Sequence, residues 1–443
     1  MNFFKTYKNY FFVLISVLIY FFLGYFFERN QFQILLFSYS LLFICFYFLY
    51  NSKLVLTSSF FKIGLLFRIV FLLATPFLSQ DFYRFIWDGR LLINGFSPYE
   101  FTPNTVVELN LIPQSFLLYN GMGTLSAQHF SNYPPVNQLF FALAGFFSST
   151  SVLGSIIILR LQIILADIGI YFIGKKILNQ LNENQNHIFL YFLNPLVIIE
   201  LTGNLHFEGV MICFLLFGFY FLMQQKLFLS VVFIALSIST KLLPLLLLPL
   251  FFQILGFKKS IPFYASIIAI NVLLFLPFLN HNLIKNYSKT ISLWFTNFEF
   301  NASFYYILRE IGFYFNGYNS IQTIGKITPI FMLLIIAFFA FVKNNSSSSK
   351  LFISALFLLT IYLFQSTTVH PWYVINLVAL SCFTKFRFAL FWSFTIILSY
   401  YAYSNVNFKE NLVLVFLEYL IVILVLFYEL GWIKKATLKF SKI

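Results

Sequence analysis

The sequence predicts an all-α, polytopic transmembrane protein, and three observations carry that prediction. Of its 443 residues, 60% are hydrophobic, 22% aromatic and only 9% charged, a balance that no water-exposed globular surface accommodates. Apolar runs near spanning length recur from end to end, separated by short polar turns. Lys and Arg fall mostly in those turns, singly or in pairs, where they orient helices across a bilayer. That placement accounts for the formal charge of +14, so the lipid bilayer is the expected partner and nucleic acid is not. Cys45, Cys213 and Cys382 lie far apart in apolar segments without CxxC or Cys/His spacing. Neither a disulfide framework nor a metal site is indicated by them.

Residues 10–27, 31–50 and 60–78 form the first three expected spans. The first follows Lys5 and Lys8 as a signal peptide does. It ends in Gly-Tyr-Phe-Phe without a small-residue cleavage site, and another span follows at once, so it is expected to stay as a helix. With Lys5 and Lys8 inside, and Lys53 and Lys62 at the next inner turn, the third span delivers Asp81 to the outer face. Residues 79–135 contain no spanning run and hold Pro98, Pro103, Pro113, Pro134 and Pro135. They are expected to form a large external loop with short interfacial helices.

Residues 136–147 are apolar but short, and read as a re-entrant or interfacial helix, because a crossing there would put Lys175 and Lys176 outside. Residues 152–174 then cross inward, with Arg160 and Asp167 on one face as an ion pair or helix-to-helix contact; 190–202 and 209–223 follow. Residues 227–255 are too long for one span and are interrupted by Thr240, Lys241 and Pro244. Two short helices meeting near the outer side, with Lys241 at the break, are expected. Residues 261–279 lead to a second external loop at 280–327, and 329–341 return to the polar linker KNNSSSSK. Spans at 351–364, 372–383, 388–403 and 412–432 complete the chain, with Lys434, Lys435, Lys439 and Lys442 anchoring its end inside. The expectation is one domain over residues 1–443 with about twelve to fourteen crossings, both termini cytoplasmic and no internal repeat.

Charge is concentrated in residues 79–103, SQDFYRFIWDGRLLINGFSPYEFTP, which hold Asp81, Asp88, Glu100, Arg84, Arg90 and Trp87. Three further polar clusters fall at the same expected outer level. Asn204, His206 and Glu208 join two helices in NLHFEG; Lys241 breaks a helix in STKLLP; His370, Trp372 and Tyr373 open a helix in VHPWY. A lone His or Lys at a helix end is more often a cap or interface anchor. The shared level is what points to one composite pocket.

A carboxylate there can take the proton from an acceptor hydroxyl, cations can stabilise charge growing on a departing phosphate, and Trp or Tyr faces can stack on sugar rings. This set suits transfer of a sugar from a lipid phosphate at a membrane surface. The alternative is a flippase or transporter of lipid-linked saccharides, which also uses broken spans and intramembrane charge. The long acidic loop on one side and the lack of paired, similarly interrupted halves weigh against it.

The stretch QDFYRFIWDGRLLINGFSPYEFTP followed by NYPPVNQLFFAL resembles the first external loop of GT-C membrane glycosyltransferases, particularly the polyprenol-phosphomannose-dependent mannosyltransferases of bacteria. NPLVIIELTGNLHFEG, STKLLPLLLLP and HPWYVINL fit the same group in order and spacing, so the resemblance covers residues 60–385. It implies a GT-C fold in a bacterial inner membrane, and a glycosyltransferase moving a hexose, with mannose the leading assignment. The donor would be a polyprenyl-phosphate sugar and the acceptor a lipid-linked or cell-envelope glycan on the external face.

The resemblance also implies that Asp81 is the catalytic base, with Asp88, seven residues on and on the same helical face, as its rival. Arg84, Arg90, His206, Glu208, Lys241, His370, Trp372 and Tyr373 are the substrate-binding candidates. No tight DxD pair is present, so no metal or other cofactor is assigned, with Asp81 and Glu208 the one pair that could share an ion. A single base without a second carboxylate nucleophile implies direct displacement with inversion at the anomeric carbon.

Overall fold

The computed structural model describes residues 2–52, 57–405 and 407–432. Lys53, Lys434, Lys435, Lys439 and Lys442, which enter the orientation argument, lie outside the described residues. Sheet-type pairing among the described residues is confined to one isolated bridge between Phe300 and Thr368, and the architecture is helical throughout. The helices used below are α1 (Asn2–Tyr25), α2 (Phe32–Tyr50), α3 (Thr57–Ile69), α4 (Asp81–Ile93), α5 (Ser115–Ala127), α6 (Pro135–Phe147), α7 (Val152–Gln180), α8 (Glu208–Met223) and α9 (Leu227–Thr240). They continue as α10 (Phe252–Phe275), α11 (Leu283–Thr296), α12 (Phe304–Asn316), α13 (Ile321–Ala337), α14 (Ser348–Gln365), α15 (Pro371–Ser381), α16 (Phe388–Thr395) and α17 (Leu412–Glu429).

Six helical runs among the described residues are long and apolar enough to cross a bilayer, or seven if the pair Pro195–Gly203 and Glu208–Met223 counts as one. Five shorter apolar helices accompany them. Counted by length, this is fewer than the sequence suggests, because several apolar runs are short or broken. The run Leu243–Phe278 passes the length test as one helix, yet the chain reverses inside it. Gly256 has φ +68°, and the Tyr264 hydroxyl donates to the Leu248 carbonyl at 3.0 Å, two residues that a straight helix would hold about 24 Å apart. The two halves therefore fold back on each other at Gly256, as expected of separate spans either side of Lys258 and Lys259.

The polarity of the molecule is inverted relative to a soluble domain. Phe37, Phe146 and Phe228 are exposed, whereas Arg68, Asp88, Arg160, Asp167 and Glu200 are fully buried. Each buried charge must then find a protein partner. Arg68 Nε meets Asp167 Oδ2 at 2.7 Å, and the Tyr191 hydroxyl donates to the other Asp167 oxygen at 2.7 Å. Arg160 donates to the carbonyls of Thr202 (2.7 Å), Leu72 (2.9 Å) and Gly203 (3.3 Å). The expected Arg160–Asp167 ion pair is therefore not formed. Along one helix those residues are about 10 Å apart in rise, and closer partners sit on neighbouring segments; the alternative expectation, contact with other helices, is what each one makes.

Two expected spans are shorter than their apolar runs. α3 ends at Ile69, and the chain continues to Ser79 through turns. Arg160 takes the Leu72 carbonyl and Asn204 Oδ1 accepts from the backbone N–H groups of Phe77 (3.2 Å) and Leu78 (2.9 Å), so this irregular backbone is satisfied within the protein. Residues 190–202 are likewise no single helix. Asn194-Pro195 interrupts the run, Ile198–Gly203 widens into a π-helix, and a 113° bend leads into α8.

The segment 280–327, expected as a loop, is largely helical in α11, α12 and the start of α13. The segment 79–135 forms α4 and α5 with shorter turns, as expected. Its α4 lies against α6 at backbone contact: a Cβ on Gly89 would stand 2.0 Å from the Phe141 carbonyl oxygen. The crossing needs glycine at that point, and a Cβ on Gly145 of α6 would in turn stand 2.9 Å from the Gly89 backbone.

Candidate active site

Asp81 is the first residue of α4. Its position is set from both sides, by Asn204 holding Phe77 and Leu78 and by the α4–α6 contact at Gly89. Its backbone N–H donates to Ser79 Oγ at 3.2 Å. The side chain is half-buried, and among the described residues no hydrogen bond or ion pair engages its carboxylate. Burial pushes the Asp81 pKa above its ordinary 3.8; the nearby charges of Lys241 and Arg29 oppose that shift and the charge of Glu208 adds to it. An unpaired carboxylate within reach of the charges of two cations and a second carboxylate is the central feature of the site.

Lys241 follows the last residue of α9 in extended backbone, φ −148° and ψ 144°. Its ammonium ion-pairs with Glu208, the first residue of α8, and lies 5.9 Å from the ring centroid of Tyr133. Tyr133 is close enough to Asp81, Glu208, Tyr373 and Asp88 to feel the charge of each. Tyr373, on α15, neighbours Glu208 and Asp81.

One flank of this pocket is a column of rings. The His206 and Trp372 rings stack with centroids 3.7 Å apart, Trp372 and His370 at 4.4 Å, and His370 and Phe300 at 5.1 Å. Glu200 stands behind it, with one carboxylate oxygen 3.6 Å from His206 Nε2 and the other accepting from the Tyr400 hydroxyl at 2.7 Å. Burial, then the charges of Lys241 and Arg29, drives the His370 pKa down to about 3, so its imidazole is neutral at ordinary pH.

The structure thus gathers residues from all four polar motifs: Asp81, Glu208, Lys241, His370 and Tyr373 converge, with His206 and Trp372 beside them. Three of the expected residues face elsewhere. Arg84 pairs with Asp88 at 2.6 Å and donates to the carbonyls of Ser126 (2.6 Å) and His129 (2.9 Å). The second Asp88 oxygen accepts from Gln138 at 3.1 Å, so that carboxylate is buried and occupied. Arg90 holds the Pro113 carbonyl at 2.7 Å and Gln114 Oε1 at 3.1 Å. These contacts brace the 79–135 segment.

Sequence reasoning missed Arg29, Tyr133 and Glu200. Arg29 sits in the turn between α1 and α2, at the same predicted outer level as Asp81, which was the available signal. Glu200, an ionisable residue inside an apolar run, carried the usual mark of a residue with a task. Among the described residues no group of three or more His, Cys, Asp or Glu side chains is placed to hold a metal ion, and Glu208 is engaged by Lys241.

Fold and site together define a polytopic membrane protein with a carboxylate-and-cation pocket at the ends of its helices. A family model described as alpha-(1->6)-mannopyranosyltransferase, N-terminal domain, matches residues 27–256, over half of the chain, and the chain belongs to that family. Alpha-(1->6)-mannopyranosyltransferase B of Corynebacterium glutamicum is 26% identical over 148 residues. That match covers 33% of this chain and 24% of the relative's length.

Proposed function

We propose that the protein is a membrane mannosyltransferase that moves mannose from a polyprenyl-phosphate donor to a lipid-linked or cell-envelope glycan. Transfer takes place on the external face of a bacterial inner membrane. The observation that carries the reading is Asp81: an unpaired, half-buried carboxylate with its pKa raised by burial, within reach of the charges of Lys241 and Arg29 and near Tyr133 and Tyr373. The family match to a mannosyltransferase domain supports mannose as the sugar.

On this reading Asp81 takes the proton from the acceptor hydroxyl as its oxygen attacks the anomeric carbon. The bond from that carbon to the phosphate oxygen breaks, the electron pair leaves with the phosphate, and the configuration inverts. Asp88 does not compete for this role, because Arg84 and Gln138 occupy both its oxygens; it holds α4 in place. Tyr373 offers a face for a sugar ring, whereas the Trp372 ring is taken up in its stack with His206 and His370.

A groove of about 330 Å³ lined by Leu246, Pro329, Met332, Leu333 and Tyr362 offers the isoprenoid chain a course. Ser366 and Thr367, a few residues before His370, also line it.

The test uses purified protein in detergent, with synthetic polyprenyl-phosphate-mannose carrying labelled sugar and membrane-derived acceptor. Labelled product with inverted anomeric configuration is the expected result. Retained configuration would overturn the single-displacement step. Movement of the lipid between liposome leaflets without any transfer would favour a flippase.

A further inference from the structure

We infer that Arg29 is the residue that grips the phosphate of the lipid-linked donor, beside Asp81; the inference rests on the donor reading proposed above. Lys241 and the four buried arginines among the described residues are already committed. Arg68 pairs with Asp167, Arg84 with Asp88 and Lys241 with Glu208. Arg160 and Arg90 serve carbonyl oxygens in the protein. Arg29 has neither a carboxylate in ion-pair range nor a hydrogen bond to a backbone carbonyl among the described residues; like Arg68, Arg84 and Arg90 it keeps a buried nitrogen without a partner, here Nε. Lys241, one of the cations that the sequence offers for contact with the substrate, brings its own counter-charge in Glu208.

Geometry places Arg29 at the reacting centre. Its guanidinium carbon lies 3.5 Å from the ring centroid of Tyr403, with which it also shares a side-chain hydrogen bond, so Tyr403 holds the guanidinium in place. Arg29 lines a cavity of about 180 Å³ together with Thr75, Phe77, Ser79, Gln80 and Tyr83. Gln80 and the neighbouring Phe82, also on the cavity wall, flank Asp81. The charge of Arg29 reaches Asp81, Glu200 and His370 alike, so one guanidinium joins the base, the carboxylate behind the ring column and the column itself.

The chemistry asks for such a group. The donor is a phosphodiester with one negative charge. When the anomeric carbon leaves, the oxygen that held it keeps the electron pair and the product is a phosphate monoester, which gains a second negative charge as it forms. An always-protonated planar fork can donate to two phosphate oxygens side by side and stabilises the dianion more than the diester.

The test measures binding of geranylgeranyl phosphate and of geranylgeraniol to the full chain in nanodiscs of zwitterionic lipid, for wild type, Arg29→Gln and Arg29→Lys. Wild type is expected to favour the phosphate over the alcohol. Arg29→Gln should lose about tenfold or more for the phosphate and bind the alcohol as wild type does, which also shows that it is folded. Arg29→Lys should recover part of the loss, since it keeps the charge without the fork. If wild type favours the phosphate and Arg29→Gln does so equally, the assignment of Arg29 is overturned while the donor reading stands. If wild type shows no preference for the phosphate, the donor reading falls and this inference with it.

Discussion

The ammonium of Lys241 rests on the carboxylate of Glu208, thirty-three residues earlier in the chain, and this pair joins the break after α9 to the start of α8. Its side chains are 19% and 2% exposed, so the pair is largely withdrawn from water and its two charges depend on each other. Around it the unpaired carboxylate of Asp81 and the guanidinium of Arg29, stacked on Tyr403, complete the pocket.

That dependence is measurable. Lys241→Met and Glu208→Gln should each destabilise the protein by about 1–3 kcal/mol, because each leaves a charge or its partner uncompensated. The double variant should cost less than the two added together. Denaturant unfolding in detergent provides the cycle, and strict additivity would show that the two side chains do not interact.

The contact of α4 with α6 leaves no room for a methyl group at Gly89, where the obstacle is the backbone carbonyl of Phe141 at 2.0 Å from the added carbon. Gly89→Ala should therefore destabilise by about 3 kcal/mol, the upper end for overpacking, and should lower activity by shifting Asp81. Thermal unfolding of purified protein, read alongside turnover, checks both. An unchanged midpoint would mean that the helices separate freely.

Asn204 holds the turn that delivers Asp81, by accepting from the Phe77 and Leu78 N–H groups. Removing it in Asn204→Ala leaves those donors short of a partner, at a cost of about 1–3 kcal/mol. The proposed base, Asp81, should then be less well placed, so kcat should fall with little change in KM. A rise in KM alone would assign Asn204 to substrate binding instead.

Asp81 also sets a pH dependence. Its pKa is raised above 3.8 by burial, so ionising it costs folding free energy. The stability it lends is present at low pH and is lost as pH rises through its folded-state pKa. Asp81→Asn should match wild type in acid and become the more stable of the two above that pKa. The acid limb of the wild-type rate should lie above the usual carboxylate range, and in Lys241→Met it should move higher, since Lys241 opposes the shift. His370, already neutral above about 3, should contribute no limb near neutrality. Unfolding and rate profiles across pH would expose any of these signs as wrong.

Much of this was readable from the chain itself. Thr240, Lys241 and Pro244 mark the helix break because proline removes a donor and a polar group marks where backbone leaves the hydrocarbon. The proline-rich 79–135 segment reads as a non-spanning insertion for the same reason. Pairings between distant helices were not readable. Nothing in the local pattern tells that Asp167 meets Arg68, ninety-nine residues away, rather than Arg160 on its own helix. The π-helix at Ile198–Gly203 is hidden in an apolar run whose composition is that of any span. Its irregular backbone is held by Arg160 at Thr202 and Gly203, which only the fold brings near. The helical second segment, α11 and α12, was obscured by its Asn and Tyr content, which reads as loop.

The account turns on which carboxylate is the base, and the most direct measurement is mannosyl transfer by purified Asp81→Asn and Asp88→Asn proteins, each compared with wild type for folding. Asp81→Asn is expected to fold normally and to lose about 10² to 10⁴ in kcat. Asp88→Asn should lose stability first, because Arg84 is left with a neutral partner. Turnover by folded Asp81→Asn within a few-fold of wild type would contradict the assignment of Asp81 as the base.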